Sequence, residues 1–146
     1  MVEHDGIMLP VRYPRHWKDY ALIDSGNGLK WEQFGARILQ RPEPQALWSP
    51  SSSLTSLRSM THWRFEAGGS RNGTWIPQHR SGKGSGHSTS EGNLGSERWP
   101  ISYQSPSLKL RFHLAMTAFK HVGLFPEQAD NWEFIASAVK ALPAGA

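Results

Sequence analysis

The chain has 146 residues, 38% of them hydrophobic, which is enough for one domain with a core; it has no apolar run approaching a membrane span. It contains no cysteine, which excludes disulfides, thiolate metal sites and a cysteine nucleophile within the chain. Its 16 Lys and Arg against 12 Asp and Glu leave a net charge of +4, a balance that permits a nucleic-acid partner without requiring one.

The first residues lack the pattern of a secretory leader, so a cytoplasmic protein with no membrane partner is expected. Residues 1–19 are polar and broken by proline, with Arg12, Arg15, His16 and Lys18 interleaved with Tyr13 and Trp17. Such a segment either touches RNA as a basic arm or packs its aromatics on the edge of the domain. Residues 20–24 read as a strand, and Ser25-Gly26-Asn27-Gly28 as a tight turn of residues that tolerate positive φ. Residues 29–34 alternate apolar and polar as the return strand, Gly35 breaks it, and residues 36–41 make a third strand. The Gly-Asn-Gly run lacks both the spacing and the strand–helix setting of a phosphate loop. Pro42 and Pro44 stop the meander, and the corner after them is expected to tuck Leu47 and Trp48 inward. Residues 49–59 are rich in serine and read as a loop.

Residues 63–66 alternate, 68–73 turn and 74–76 return, which predicts a second hairpin. From Arg58 to Lys83 there are five basic residues and one acid, with His62, His79 and two Trp among them. Basic side chains interleaved with aromatics suit RNA phosphates and stacked bases, with Trp63, Arg64 and Arg71 as candidates. An ordinary solvated hairpin face has the same composition. Residues 81–96 hold five Gly and five Ser and predict a flexible loop. Residues 99–103 and 108–114 predict a third hairpin, with Leu108, Leu110, Phe112 and Leu114 on one face. Lys109, Arg111 and His113 line the other, which is most simply a solvated strand face. The histidines show no metal-ligand spacing, so no metal site is expected. No Ser/His/Asp arrangement can be argued from residue order.

Residues 119–132 read as a loop that turns into a helix. Pro126 suits the first helical position, and Glu127 and Asp130 complement the positive end of the helix dipole. Trp132, Ile135, Ala136, Val139 and Leu142 recur at helical spacing as one apolar stripe built for burial. Extended backward, the stripe runs through Asn131 and Gln128. Buried amides need partners, and a helix N-terminus favours an anion, so the pair marks a binding site or else caps local backbone. The fold class is α+β: antiparallel hairpins and a meander packed around Trp and Leu side chains and closed by a C-terminal helix.

Three segments resemble one bacterial family. They are Tyr20-Ala21-Leu22-Ile23-Asp24-Ser25-Gly26-Asn27-Gly28, Arg41-Pro42-Glu43-Pro44-Gln45-Ala46-Leu47-Trp48, and above all Lys120-His121-Val122-Gly123-Leu124-Phe125-Pro126-Glu127-Gln128-Ala129-Asp130-Asn131-Trp132. The family is the class I S-adenosylmethionine-dependent methyltransferases related to the large-subunit rRNA methyltransferases. The resemblance covers most of residues 19–142, apart from the Gly/Ser loop, which is longer than usual. It implies a lead-in at 1–19, a β-rich N-terminal domain at 20–116, and a cofactor-edge loop and linker helix at 117–146 leading to a Rossmann-like catalytic domain. Gly123-Leu124-Phe125-Pro126-Glu127-Gln128 resembles the Gly-Phe-Phe-Leu-Asp-Gln segment of the rRNA enzymes, which lies beside the methyl donor. By that resemblance Phe125, Gln128 and Asn131 line the edge of S-adenosylmethionine, while Lys120 and His121 meet either the cofactor or an RNA phosphate.

The sequence departs from the family where the catalytic domain should begin. It contains no strand–Gly-x-Gly–helix unit and no Asp-Pro-Pro-type motif. Methyl transfer needs the donor fixed in line with its acceptor. The expectation is therefore the truncated, substrate-side portion of a methyltransferase for RNA, ribosomal by family, with no catalytic residue of its own and inactive alone. Two alternatives stand beside it: a free-standing RNA-binding module, and one subunit of a split methyltransferase whose catalytic half is a separate chain. In the split enzyme the apolar stripe of the last helix would be a protein interface.

Overall fold

The computed structural model describes residues 13–68, 72–78 and 98–143. Within them the chain forms β1 (Tyr20–Gly26), β2 (Leu29–Phe34), β3 (Arg37–Pro42), α1 (Leu54–Met60), β4 (Trp63–Ala67), β5 (Gly73–Pro77), β6 (Arg98–Gln104) and β7 (Lys109–Ala115). A 3-10 turn at Pro126–Gln128 then leads into α2 (Ala129–Lys140). The class is α+β, as the periodicities predict. The Gly/Ser loop expected at 81–96 and the candidate Arg71 lie outside the described residues.

The β1–β2 connection has two residues, and both Asn27 and Gly28 have positive φ, at 52° and 74°. That is the signature of the type I′ turn, whose twist matches the strands it joins. The corner after β3 wraps this turn. Asn27 N–H donates to the Trp48 carbonyl at 2.7 Å, Gly28 N–H to that of Ala46 at 2.8 Å, and Glu43 N–H to that of Gly28 at 2.7 Å. Gly26 is required here because a Cβ on it would lie 2.4 Å from the Pro50 backbone nitrogen. The corner is ordered, but its expected side-chain orientation is corrected. Ala46 is the buried residue, while Leu47 is 86% and Trp48 57% exposed. The indole of Trp48 lies along the turn and donates to the Ser25 carbonyl at 2.9 Å.

Meander and second hairpin are one sheet. The order is β1-β2-β3-β4-β5, and β6-β7 form a separate two-stranded sheet. Leu39 and Gln40 pair in parallel with Trp63 and Arg64, whereas the other pairings are antiparallel. Parallel neighbours need a crossover, and this one carries α1 in the stretch read as a serine loop. Ser53 is the reason a helix starts there: its side chain accepts from Ser56 N–H at 3.2 Å. Serine is poor inside a helix and among the best residues for capping one. Leu57, fully buried, docks α1.

In β2 and β3 the opposed pairs Phe34–Arg37, Glu32–Leu39 and Lys30–Arg41 share one face of the sheet. On that face Phe34, Leu39, Phe65 and Trp75 pack with Trp99, Ile101 and Leu114 of the smaller sheet, and with Met116, Val122 and Leu124 beyond it. The core is thus a sandwich that the segment after β7 closes. From the amino-terminal side, Trp17 bridges to Tyr103, and their rings meet edge to face at 4.9 Å. This is the edge packing weighed for the lead-in.

Helix α2 sits differently from its apolar stripe. Ala129 is buried and Trp132, Glu133 and Ala136 are partly buried, but Phe134, Ile135, Val139 and Leu142 are 57–66% exposed. The docked flank is rotated roughly a quarter turn from the stripe. The cause is Trp132, which is drawn into a cluster with Phe112, Tyr103 and Trp17 at ring distances of 5.3, 5.7 and 6.0 Å. Among the described residues no helix is long and apolar enough to cross a membrane.

Candidate functional site

The segment after β7 is folded on itself and then fastened to the larger sheet. Ala115 N–H donates to the Val122 carbonyl at 3.2 Å, and Thr117 reaches the His121 carbonyl through both its N–H at 3.1 Å and its hydroxyl at 2.9 Å. From the sheet, Gly73 N–H donates to the Ala118 carbonyl and the Trp75 indole to that of Thr117, each at 2.8 Å. Lys120 has φ of 55°, a left-handed conformation that costs a non-glycine residue about 1–2 kcal/mol. Arg41 offsets that cost by donating from Nη1 to the Lys120 carbonyl at 3.1 Å.

Arg41 is the centre of a buried polar network. Its Nε donates to Glu32 Oε2 at 2.8 Å and its Nη2 to the same oxygen, while Tyr20 donates its hydroxyl to Glu32 Oε1 at 3.0 Å. Glu32 is 2% and Arg41 6% exposed, so each charge needs the other. Burial, reinforced by the Glu32 charge, pushes the Tyr20 phenol far above its ordinary value and keeps it a donor. Above this network lies a cleft of about 230 Å³, lined by Lys30, Arg41, Lys120, His121, Phe125 and Glu127 among others. Lys30 bridges to Glu43 at 3.2 Å, whereas the Lys120 ammonium has a 3.4 Å bond to the Pro42 carbonyl. Burial, followed by the charges of Arg41, Lys120 and Lys30, lowers the His121 pKa, so its imidazole is neutral at pH 7. That ring packs on Phe125 at 5.4 Å. Chemically the cleft offers one weakly committed ammonium, a neutral imidazole and an aromatic wall.

The structure therefore brings Lys120, His121 and Phe125 together, with Phe125 52% exposed at the mouth. It does not bury the two amides. Gln128, at the end of the 3-10 turn, and Asn131, on the first turn of α2, are exposed, and Asn131 Nδ2 donates to Gln128 Oε1 at 2.8 Å. They partner each other, and Gln128 makes no side-chain cap at the helix start. Trp63 is partly buried against the core, and Arg64 forms an ion pair with Glu66 on β4. Sequence reasoning missed Glu32 and Arg41. Their signal was parity, because each carries a charge at a core-facing position of an alternating strand.

A second cavity of about 360 Å³ opens beside the aromatic cluster, lined by Tyr13, Arg15, His16, Tyr103, Asp130 and Glu133 with Pro14. Tyr103 donates its hydroxyl to Glu133 Oε1 at 2.8 Å. Burial pushes the Tyr103 phenol up to about 12, helped by the Glu133 carboxylate. The Ser105 hydroxyl, and then Tyr103, hold the Glu133 carboxyl below its ordinary value. Among the described residues no group of three or more His, Asp and Glu is disposed to hold a metal ion.

No family model and no curated protein matches the sequence. Among solved structures, the chain is similar to a SAM-dependent methyltransferase from Agrobacterium tumefaciens, with 34% identity and a TM-score of 0.68. The match covers 92% of this chain and 37% of that one, so this chain spans little more than a third of that protein's length. The cleft beside Lys120 and His121 does not fit the SAM cofactor by itself. Phe125 lines the cleft, but Gln128 and Asn131 are exposed outside it, and about 230 Å³ is below the usual size of a cofactor pocket.

Proposed function

We propose that this chain is the substrate-side portion of a SAM-dependent methyltransferase acting on RNA, ribosomal RNA by the resemblance of its motifs, and that methyl transfer requires a further catalytic unit. The observation that carries this reading is the 34% identity sustained over 92% of the chain at a TM-score of 0.68. The exposed apolar side chains Phe134, Ile135 and Val139 of α2, with Leu142 just after it, support the further unit, because large apolar side chains crowded together at the surface favour a partner surface. In this reading Phe125, Gln128 and Asn131 form one edge of the cofactor site, completed by the catalytic unit. Lys120 and His121 contact the cofactor or an RNA phosphate, and Arg64, Arg71 and Trp63 are outlying RNA contacts. The compartment is the cytoplasm. The same apolar face favours a second reading, a split enzyme whose catalytic unit is a separate chain.

The test is a comparison of the chain alone with a chimera in which it replaces the matching segment of the Agrobacterium tumefaciens protein. The chain alone is expected to bind RNA and to transfer no methyl group from labelled SAM. The chimera is expected to bind SAM, and Phe125→Ala or Gln128→Ala should weaken that binding several-fold. Methyl transfer by the chain alone, or a folded chimera whose SAM affinity ignores both substitutions, would overturn the proposal.

A further inference from the structure

The β6–β7 hairpin turns Trp99, Ile101, Tyr103 and Leu114 into the interior and leaves its other face to solvent. That outer face consists of the opposed pairs Arg98–Ala115, Pro100–His113, Ser102–Arg111 and Gln104–Lys109, and all of these except Ala115 are exposed. Residues 98–115 include no Asp or Glu. Among the described residues Arg98, Lys109 and Arg111 enter no ion pair. Among the described residues one carboxylate reaches the edge of the hairpin, that of Asp19, and it accepts from the Ser102 backbone N–H at 2.8 Å. The acids of α2 lie on the inner side, where Glu133 is bonded to Tyr103.

We propose that this outer face is a phosphate-tracking surface for RNA. The proposal rests on the RNA reading above and deepens it by moving the main contact from β4 to the smaller sheet. Lys109 and Arg111 stand two residues apart on one extended strand, so their Cα atoms are about 6.8 Å apart and their charges form a row. Ser102, Gln104 and His113 add hydrogen-bonding groups between and beyond them. The face exposes no large apolar side chain to insert into a lipid surface, which favours a flexible polyanion over a membrane. Charges on a two-stranded sheet also discourage edge-to-edge pairing, but that role is served by either sign and by an alternation of both. Cations with no acid among them match a polyanion. On β4, by contrast, Glu66 answers the charge of Arg64.

The experiment measures binding of a labelled single-stranded RNA of mixed sequence to the full chain as a function of salt. The variants are Lys109→Ala/Arg111→Ala and, as a charge-matched control, Arg58→Ala/Lys140→Ala; melting curves verify that each is folded. Each phosphate contact contributes about 0.7 to the log–log salt slope for a single strand, so the first variant should lower the slope by about 1.4. At about 0.1 M salt that corresponds to roughly 25-fold weaker binding. The control should retain the slope of the unmodified chain. Equal losses in both variants would mean that net charge alone acts, and an unchanged slope in the first variant would mean that RNA binds elsewhere; either overturns the surface and leaves the RNA reading standing. If the unmodified chain binds no RNA at any salt, the RNA reading itself fails. Capture by phosphatidylserine-containing vesicles in that case would assign the face to a membrane instead.

Discussion

The loop that leaves β7 and the helix that follows it belong to one continuous segment, yet they are held by different forces. The loop is fixed by directed bonds. Two backbone carbonyls accept from Gly73 and the Trp75 indole, and a third accepts from a buried guanidinium. Helix α2 is fixed mainly by one aromatic ring at its start and exposes its more apolar flank. Hydrogen bonds and a buried ion pair specify position; apolar area supplies attraction without specifying a partner. The cleft of Lys120, His121 and Phe125 is therefore shaped by this chain, while the apolar flank of α2 is left exposed among the described residues.

Removing Arg41 should produce the largest change. Arg41→Ala leaves the buried Glu32 carboxylate with only the Tyr20 hydroxyl and the more distant Lys30 ammonium, at 3.7 Å, for partners, which costs about 3 kcal/mol of folding stability by urea denaturation. Replacing both partners, as Glu32→Leu/Arg41→Met, should recover most of that loss, since apolar substitutes for a buried pair are often neutral or stabilising. The double variant should nevertheless loosen the loop, because the Lys120 carbonyl loses its donor, and faster amide exchange at residues 117–122 would report it. A single variant as stable as the parent would show that the loop does not depend on this network. Trp132→Ala comes next, at about 2–3 kcal/mol because the ring is only partly buried. Its effect should concentrate in α2, with amide exchange there accelerating while the sheets keep their protection.

The two regions also differ in how far the sequence disclosed them. The hairpins were legible because an alternating strand and a turn tolerant of positive φ are local signals, and Asn27-Gly28 carries both. The parallel pairing of Leu39 with Trp63 was not, because nothing near either residue encodes a partner across so long a connection. Helix α1 was hidden by its serines, since Ser53 acts as a cap and Leu57 alone docks the helix. For α2 the periodicity placed the helix correctly but not its rotation. The chain has seven Trp, and Trp132 packs with Trp17, Tyr103 and Phe112, which turns the helix so that the rest of the stripe faces outward. In the site, Lys120 and His121 were legible from their motif. Glu32 and Arg41 are far apart in sequence from that loop and acquire their role only when β2 and β3 face it.

The pH dependence of the aromatic cluster sharpens the comparison, with an effect smaller than the loss of Trp132. The Tyr103–Glu133 bond needs an ionised carboxyl and a protonated phenol. The Glu133 carboxyl is held below its ordinary 4.5, so its contribution is complete above 4.5 and is lost as pH falls through the lower folded value. The Tyr103 phenol is raised from 10.0 to about 12, so its contribution is complete below 10 and declines as pH rises toward 12. Helix α2 should therefore loosen at both extremes, and Glu133→Gln should flatten the acid limb. A helix signal with the same acid limb in Glu133→Gln would exclude this carboxylate as the group that titrates.

The smallest effect on stability and the most informative one about partnership come from the exposed flank. Ile135 and Val139 are 57% and 60% exposed, so Ile135→Ser/Val139→Ser removes little buried area and should change unfolding free energy by about 0.5 kcal/mol, near the limit for surface positions. Helix propensity scarcely separates the residues exchanged. If the flank is complementary to another protein surface, the unmodified chain should self-associate through it at high concentration, because apolar area seeks cover wherever it is found. Sedimentation equilibrium should show that association weakened in the double variant, with the cleft and its His121–Phe125 contact unaltered. A variant that loses several kcal/mol instead would mean that the flank is already packed within this chain, and the contrast between the fastened loop and the open helix would disappear.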